Sequence, residues 1–153
     1  MLFAISTLTI FLSLSTPSIF LKLSPLSDKY FFSYSEKTYQ HAWLDCETNG
    51  LRLAAIQNNQ QQSDLFNALA KQGLYTTGYW IDGVLSRQDM KYYWLRNATE
   101  VKYTLWGTGQ PQTRQSKQLC VKLGNFYKYN EPYKFQLEDC TFWLSYICER
   151  TDL

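Results

Sequence analysis

Four cysteines constrain this chain more than any other feature. Cys46 and Cys148 lie near the two ends of the region that reads as folded, and Cys120 and Cys140 lie between them. Three pairings of four thiols are possible, and sequence alone leaves them open. A nested pairing would tie the ends of the domain together with one bridge and pin a loop with the other. In the chain-entropy description an outer loop of about a hundred residues is worth ~4–5 kcal/mol and the inner one ~3 kcal/mol. Zinc is the competing use, but the chain has no C-x-x-C and a single histidine, His41. A closed tetrahedral site would have to recruit all four distant thiolates. Two disulfides are therefore expected, and no metal.

Disulfides require an oxidising compartment, and the N-terminus fits export. No charged residue precedes Lys22, and Leu8 to Leu12 is the most apolar stretch. Ser13 and Ser15, or Thr16 and Ser18, supply small residues at the −3 and −1 positions of a cleavage site. Residues 1–18 are read as a signal peptide, although it lacks a positive leading region. An uncleaved anchor is the alternative, because the uncharged run approaches the ~20 residues of a membrane span. The Ser/Thr content, Pro17 and the absence of a stalk favour cleavage. The expected location is secreted and extracellular, with one domain over residues 24–150. The formal net charge is +2, with Lys and Arg scattered. That balance excludes a nucleic-acid partner. Asn97-Ala98-Thr99 is a glycosylation sequon in a turn-like stretch, so Asn97 is a candidate glycan acceptor.

Periodicity gives the elements. Ser24 to Tyr34 reads as a short first strand, after which Ser35 is placed to cap a helix. Tyr39, Ala42, Trp43 and Cys46 then recur at i, i+3, i+4 and i+7 as one apolar stripe, and Asn49-Gly50 provides the stop. A second helix is predicted from about Gln60 to Gln72, with Leu65, Ala68 and Leu69 inward and Gly73 at its end. Tyr79–Ile81, Lys91–Trp94, Leu119–Leu123, Phe126–Tyr129 and Tyr146–Glu149 read as strands. Tyr103 to Lys117 has turn residues and no period, and reads as a long irregular loop. Two helices with antiparallel strands and such a loop make an α+β plan, and long loops in small domains usually carry function.

Catalysis is not expected. There is no G-x-S-x-G and no H-E-x-x-H, and His41 falls on a solvated helix face. Glu138 and Asp139 are adjacent in a strand-like stretch, where neighbouring side chains diverge.

In this order the residues resemble the C-type lectin-like domain family, over about Ser24 to Arg150. The resemblance rests on Ala42 and Cys46, Gly50-Leu51-Arg52-Leu53-Ala54, and Trp80-Ile81-Asp82-Gly83, where the family usually has Trp-Ile-Gly-Leu. It continues with Trp94, with Trp106 and Gly109-Gln110-Pro111, then with Cys120, Cys140 and Tyr146-Ile147-Cys148-Glu149. Each piece is weak alone, and seven in order are specific. The resemblance implies the pairs Cys46–Cys148 and Cys120–Cys140. The build is similar to the short, exported single-domain lectins of insects.

In sugar-binding members a calcium ion in the long loop holds two sugar hydroxyls. Carried over by position, Gln110-Pro111-Gln112 stands for the Glu-Pro-Asn or Gln-Pro-Asp triplet. Gln118 replaces the acid two residues before the third cysteine. Gln136 and Leu137 replace an Asn-Asp pair, and Phe135 stands where Trp is usual. None of these is a carboxylate, and calcium affinity is tuned by the number of charged oxygens. Calcium is therefore not expected as a cofactor, unless Glu131, Glu138 or Asp139 supplies the missing charge. Gln110, Gln112, Gln118 and Gln136 remain as an amide cluster able to donate to and accept from sugar hydroxyls. Trp106 and Tyr133 are candidate stacking faces, although Trp106, like Trp80 and Trp94, also reads as core. The expected partner is a glycan or glycoprotein, bound without calcium. The alternative is a lectin-like domain for a protein partner or a homo-oligomer, with exposed tyrosines among Tyr127, Tyr129 and Tyr133 as its contact surface.

Overall fold

The computed structural model describes residues 23–74, 78–113, 117–126 and 131–151. The expected signal peptide, Tyr127, Tyr129 and the side chain of Glu131 lie outside the described residues. The first strand is a hairpin: β1 (Leu23–Pro25) pairs antiparallel with β2 (Tyr30–Lys37), Leu23 opposite Ser33. Ser27 Oγ closes the turn by accepting the Tyr30 N–H at 3.1 Å.

Helix α1 (Tyr39–Thr48) begins later than the sequence suggests, after Thr38 rather than after Ser35. Ser35 lies inside β2, with its N–H held by Ser33 Oγ at 3.1 Å. The strand runs on because it pairs with the last strand as far as Lys37 opposite Leu144, and a ladder overrides a local capping preference. Tyr39, Ala42 and Cys46 are buried as expected, but Trp43 is 37 % exposed. The stripe that the disulfide draws onto the sheet is narrow, and Trp43 stands at its margin. Gly50 ends the helix with φ +68°, a conformation costly for a residue with a Cβ.

A short strand β3 (Arg52–Leu53) leads into fully buried Ala54, Ala55 and Ile56. Helix α2 (Asn59–Lys71) then starts on Asn58, whose side chain accepts the Gln61 N–H at 2.9 Å. Such a cap is worth about 1 kcal/mol. Leu65, Ala68 and Leu69 face inward.

The remaining strands are β4 (Tyr79–Leu85), β5 (Tyr92–Trp94), β6 (Thr99–Glu100), β7 (Leu119–Phe126), β8 (Glu131–Asp139) and β9 (Leu144–Glu149). β4 is the hub: it pairs parallel with β9 and antiparallel with β5 and β7, and β8 hangs on β7. Gly83 permits the closeness at that hub, because a Cβ there would meet Val121 Cγ2 at 2.8 Å. Cys46–Cys148 fastens α1 to β9, and Cys120–Cys140 fastens β7 to the end of β8. Trp80 and Trp94 are core, as expected. Of the strand expected at Phe126–Tyr129, Phe126 belongs to β7 and 127–129 lie outside the described residues; β8, from Glu131, is a strand that the sequence pattern does not single out. Tyr133, Phe135 and Leu137 carry the period-2 pattern of β8, which the surrounding aromatic and charged residues obscure.

Candidate functional site

The long loop docks along the outer edge of β8 and so builds the site. Phe135 donates its N–H to Leu105 O at 2.7 Å and accepts from Gly107 N–H at 3.0 Å. Its ring is fully buried, 5.8 Å from Trp106 and 6.0 Å from Trp94, centroid to centroid. Two positions further along β8 the loop backbone no longer pairs, and a side chain takes over. Gln110 Oε1 accepts the Leu137 N–H at 3.1 Å and the Gln112 N–H at 3.3 Å. Two main-chain donors fix the orientation of this amide: its oxygen serves the fold, and its NH2 is the group left for a ligand.

A polar pocket of about 190 Å³ lies between this loop and β8. Gln110, Gln112, Gln136, Lys117, Glu138 and Asp139 line it, together with Leu119 and Leu137. Three of the four expected glutamines therefore meet. Gln118 does not line the pocket, because its Nε2 donates to Leu85 O on β4 at 2.9 Å. Tyr133 is no stacking platform: it is 4 % exposed, packs 5.0 Å from Phe66 and donates its hydroxyl to Leu74 O at 3.2 Å. Trp106 is half-buried against Tyr92 and Phe135 and belongs mainly to the loop's support. His41 is exposed, as expected.

The carboxylates carry cations of their own. Lys117 Nζ sits 2.6 Å from Asp139 Oδ2, and Asp139 Oδ1 accepts from Thr141 N–H at 2.9 Å and Thr141 Oγ1 at 2.7 Å. The Lys117 hydrogen bond, reinforced by Thr141, pulls the Asp139 carboxyl down to about 2. Lys122 Nζ lies 2.9 Å from Glu138 Oε2, and Glu138 Oε1 accepts the Asp139 N–H at 3.1 Å. All four oxygens of the pair thus have protein donors. Lys122 stands opposite Gln136 in the β7–β8 ladder. Sequence reasoning missed both lysines, and Lys122 becomes visible only once that register is known. Among the described residues no group of three or more His, Cys, Asp or Glu side chains is placed to hold a metal.

The glycosylation sequon lies in the turn between β5 and β6. Asn97 is exposed, and its Oδ1 accepts from Thr99 Oγ1 at 2.7 Å.

Residues 35–150 match the profile of the Lectin C-type domain. The chain belongs to the C-type lectin domain family. Among its relatives, a Perlucin-like protein of Mytilus galloprovincialis is 26 % identical over 88 residues, which are 58 % of this chain and 56 % of that protein. Salivary C-type lectin 2 of Aedes albopictus is 24 % identical over 128 residues, covering 80 % of this chain and 83 % of its own length. Among solved structures, an SPL-1–GlcNAc complex superposes with a TM-score of 0.65 at 17 % identity, over 78 % of this chain and 86 % of that one. The α+β fold with its two disulfides, Cys46–Cys148 and Cys120–Cys140, is that of a C-type lectin domain.

Proposed function

We propose that this C-type lectin domain is a secreted, non-enzymatic carbohydrate-recognition module that binds glycans without calcium. The observation that carries this reading is the pocket's convergence of three amides, Gln110, Gln112 and Gln136, beside two lysine-capped carboxylates. Amide and ammonium donors, with carbonyl acceptors between them, suit the alternating donor and acceptor character of a sugar's hydroxyls. Related lectin-fold proteins solved with GlcNAc or an N-glycan support the ligand class.

The same donors do not fit a calcium ion. Calcium needs six to eight oxygens, several of them charged. Here the Gln110 oxygen faces two backbone N–H groups, Leu137 offers no side-chain oxygen, and every oxygen of Glu138 and Asp139 is occupied. Two tethered ammonium groups already supply the positive charge that a cation would bring.

Each amide contact is worth about 1 kcal/mol net. A single sugar should therefore bind only at roughly millimolar strength, and useful avidity would come from repeated epitopes. The exposed Asn97 and its Thr99 contact make it the glycosylation site we assign to the exported form.

A glycan array probed with and without a chelator tests the reading. Binding that survives chelation and falls in a Gln112→Ala, Gln136→Ala double variant supports it. Binding lost on chelation contradicts the metal-free mechanism, and no binding to any glycan favours a protein partner instead.

A further inference from the structure

A second groove lies between the end of β2, the outward face of α1 and the turn before β9. It has a volume of about 340 Å³. His41, Leu44, Asp45 and Thr48 recur at i, i+3, i+4 and i+7, so one helix face forms its floor. Trp143 forms a wall and is 63 % exposed, and Leu44 is 50 % exposed. The surface that the lining exposes is mostly hydrocarbon and indole, although five of its seven residues, Glu36, Lys37, His41, Asp45 and Thr48, carry polar groups.

Most of those polar groups are already engaged. Asp45 pairs with Lys37 Nζ at 2.9 Å and also accepts the Tyr146 hydroxyl. Thr48 Oγ1 donates to the Asp45 main-chain oxygen at 3.1 Å, and His41 Nδ1 is 2.9 Å from Thr38 Oγ1. Glu36 differs: its side chain has no ion pair or hydrogen bond among the described residues. Of the charged side chains lining the groove, Glu36 and Asp45 are carboxylates and Lys37 is an ammonium already paired with Asp45, which leaves Glu36 as the carboxylate open to a cation. A sugar would find too few free partners for its hydroxyls here. A ligand with an apolar body and one cationic head would find both of its needs met.

We propose that this groove binds a small arylalkylammonium ion, its hydrocarbon body against Leu44 and the Trp143 indole and its ammonium on Glu36. The charge-assisted contact to a carboxylate with no partner among the described residues sets the preference for a cation, and the apolar surfaces set the affinity. This site is separate from the amide pocket and does not depend on how that pocket works.

Calorimetric titration of the full chain with 2-phenylethylammonium and with the neutral 2-phenylethanol tests the proposal. The ammonium should bind about two- to fivefold more tightly than the alcohol. Glu36→Gln should erase that difference, and Trp143→Ala should weaken both ligands by about tenfold. Both residues are exposed, and melting curves of the variants check that the fold is retained. If Trp143→Ala melts early, Trp143→Phe takes its place and should keep most of the binding while Glu36→Gln still removes the preference. Equal binding of the two compounds, absence of binding at millimolar concentration, or a preference that survives Glu36→Gln would overturn the proposal.

Discussion

Two regions of this molecule solve the same electrostatic problem, two carboxylates near cationic side chains, in opposite ways. On β4 and β9, Asp82 and Glu149 are each about 1 % exposed and share the Arg96 guanidinium, with Lys29 Nζ a further 3.6 Å from Glu149 Oε2. Asp82 also accepts the Leu95 and Arg96 N–H groups at 3.1 and 3.0 Å and the Tyr39 hydroxyl at 3.4 Å. At the amide pocket, Glu138 and Asp139 stand on an edge strand, and each has its own lysine. The buried set cross-links four parts of the fold and cannot be altered piecemeal. The pocket set is partly exposed and should tolerate change better. The difference teaches that charge alone does not mark a binding site: burial decides whether a charged cluster holds the fold or meets a ligand.

The contrast can be broken most forcefully at Arg96. Arg96→Met leaves buried Asp82 without its cation and Glu149 with only the longer Lys29 contact at 3.6 Å, and should cost about 3–5 kcal/mol in urea denaturation. A loss below about 1 kcal/mol would erase the distinction between the regions. Gln110→Ala should cost about 1–2 kcal/mol, because the N–H groups of Leu137 and Gln112 lose their acceptor. Hydrogen exchange at those two amides should quicken, while the buried strands keep their protection. Lys117→Met sits at the bottom of the scale, at about 0–1 kcal/mol, as expected of a solvent-screened pair.

Acid sharpens the comparison, because the two aspartates respond with opposite sign. Burial pushes the Asp82 carboxyl above its ordinary value of 3.8, against the pull of the Arg96 N–H and guanidinium and the Leu95 N–H. The folded chain therefore holds that proton more tightly than the unfolded chain. Protonating Asp82 adds stability as pH falls from the raised value towards 3.8. Asp139, held at about 2 by Lys117 and Thr141, does the reverse. Its contribution is complete above 3.8 and is lost as pH falls through about 2. Carboxyl carbon titration by NMR should place the two midpoints on opposite sides of the ordinary aspartate value.

Much of the scaffold was legible in the residues. Leu65, Ala68 and Leu69 mark the buried face of α2 by spacing alone, and Trp80, Trp94 and the four cysteines sit where a lectin-like pattern needs them. What stayed hidden depended on pairing between distant segments. The end of β2 at Lys37 follows from its ladder with β9, which no local rule reveals. Gln118 and Gln136 look equivalent as loop amides, yet one bonds to Leu85 O and the other lines the pocket. Strand direction at Cys120 decides that, and it is absent from the sequence. Tyr133 reads as an exposed aromatic, but its place in the β8 alternation sends it inward beside Phe135. The lysines that cap Glu138 and Asp139 lie far enough along the chain that only the β7–β8 register brings them together.

The most direct test of the account is a calorimetric titration of the full chain with calcium at neutral pH. The engaged carboxylates and the inward-facing Gln110 oxygen predict no saturable heat up to millimolar calcium. Stoichiometric binding of one ion at micromolar affinity, with displacement of Lys117 from Asp139, would contradict it.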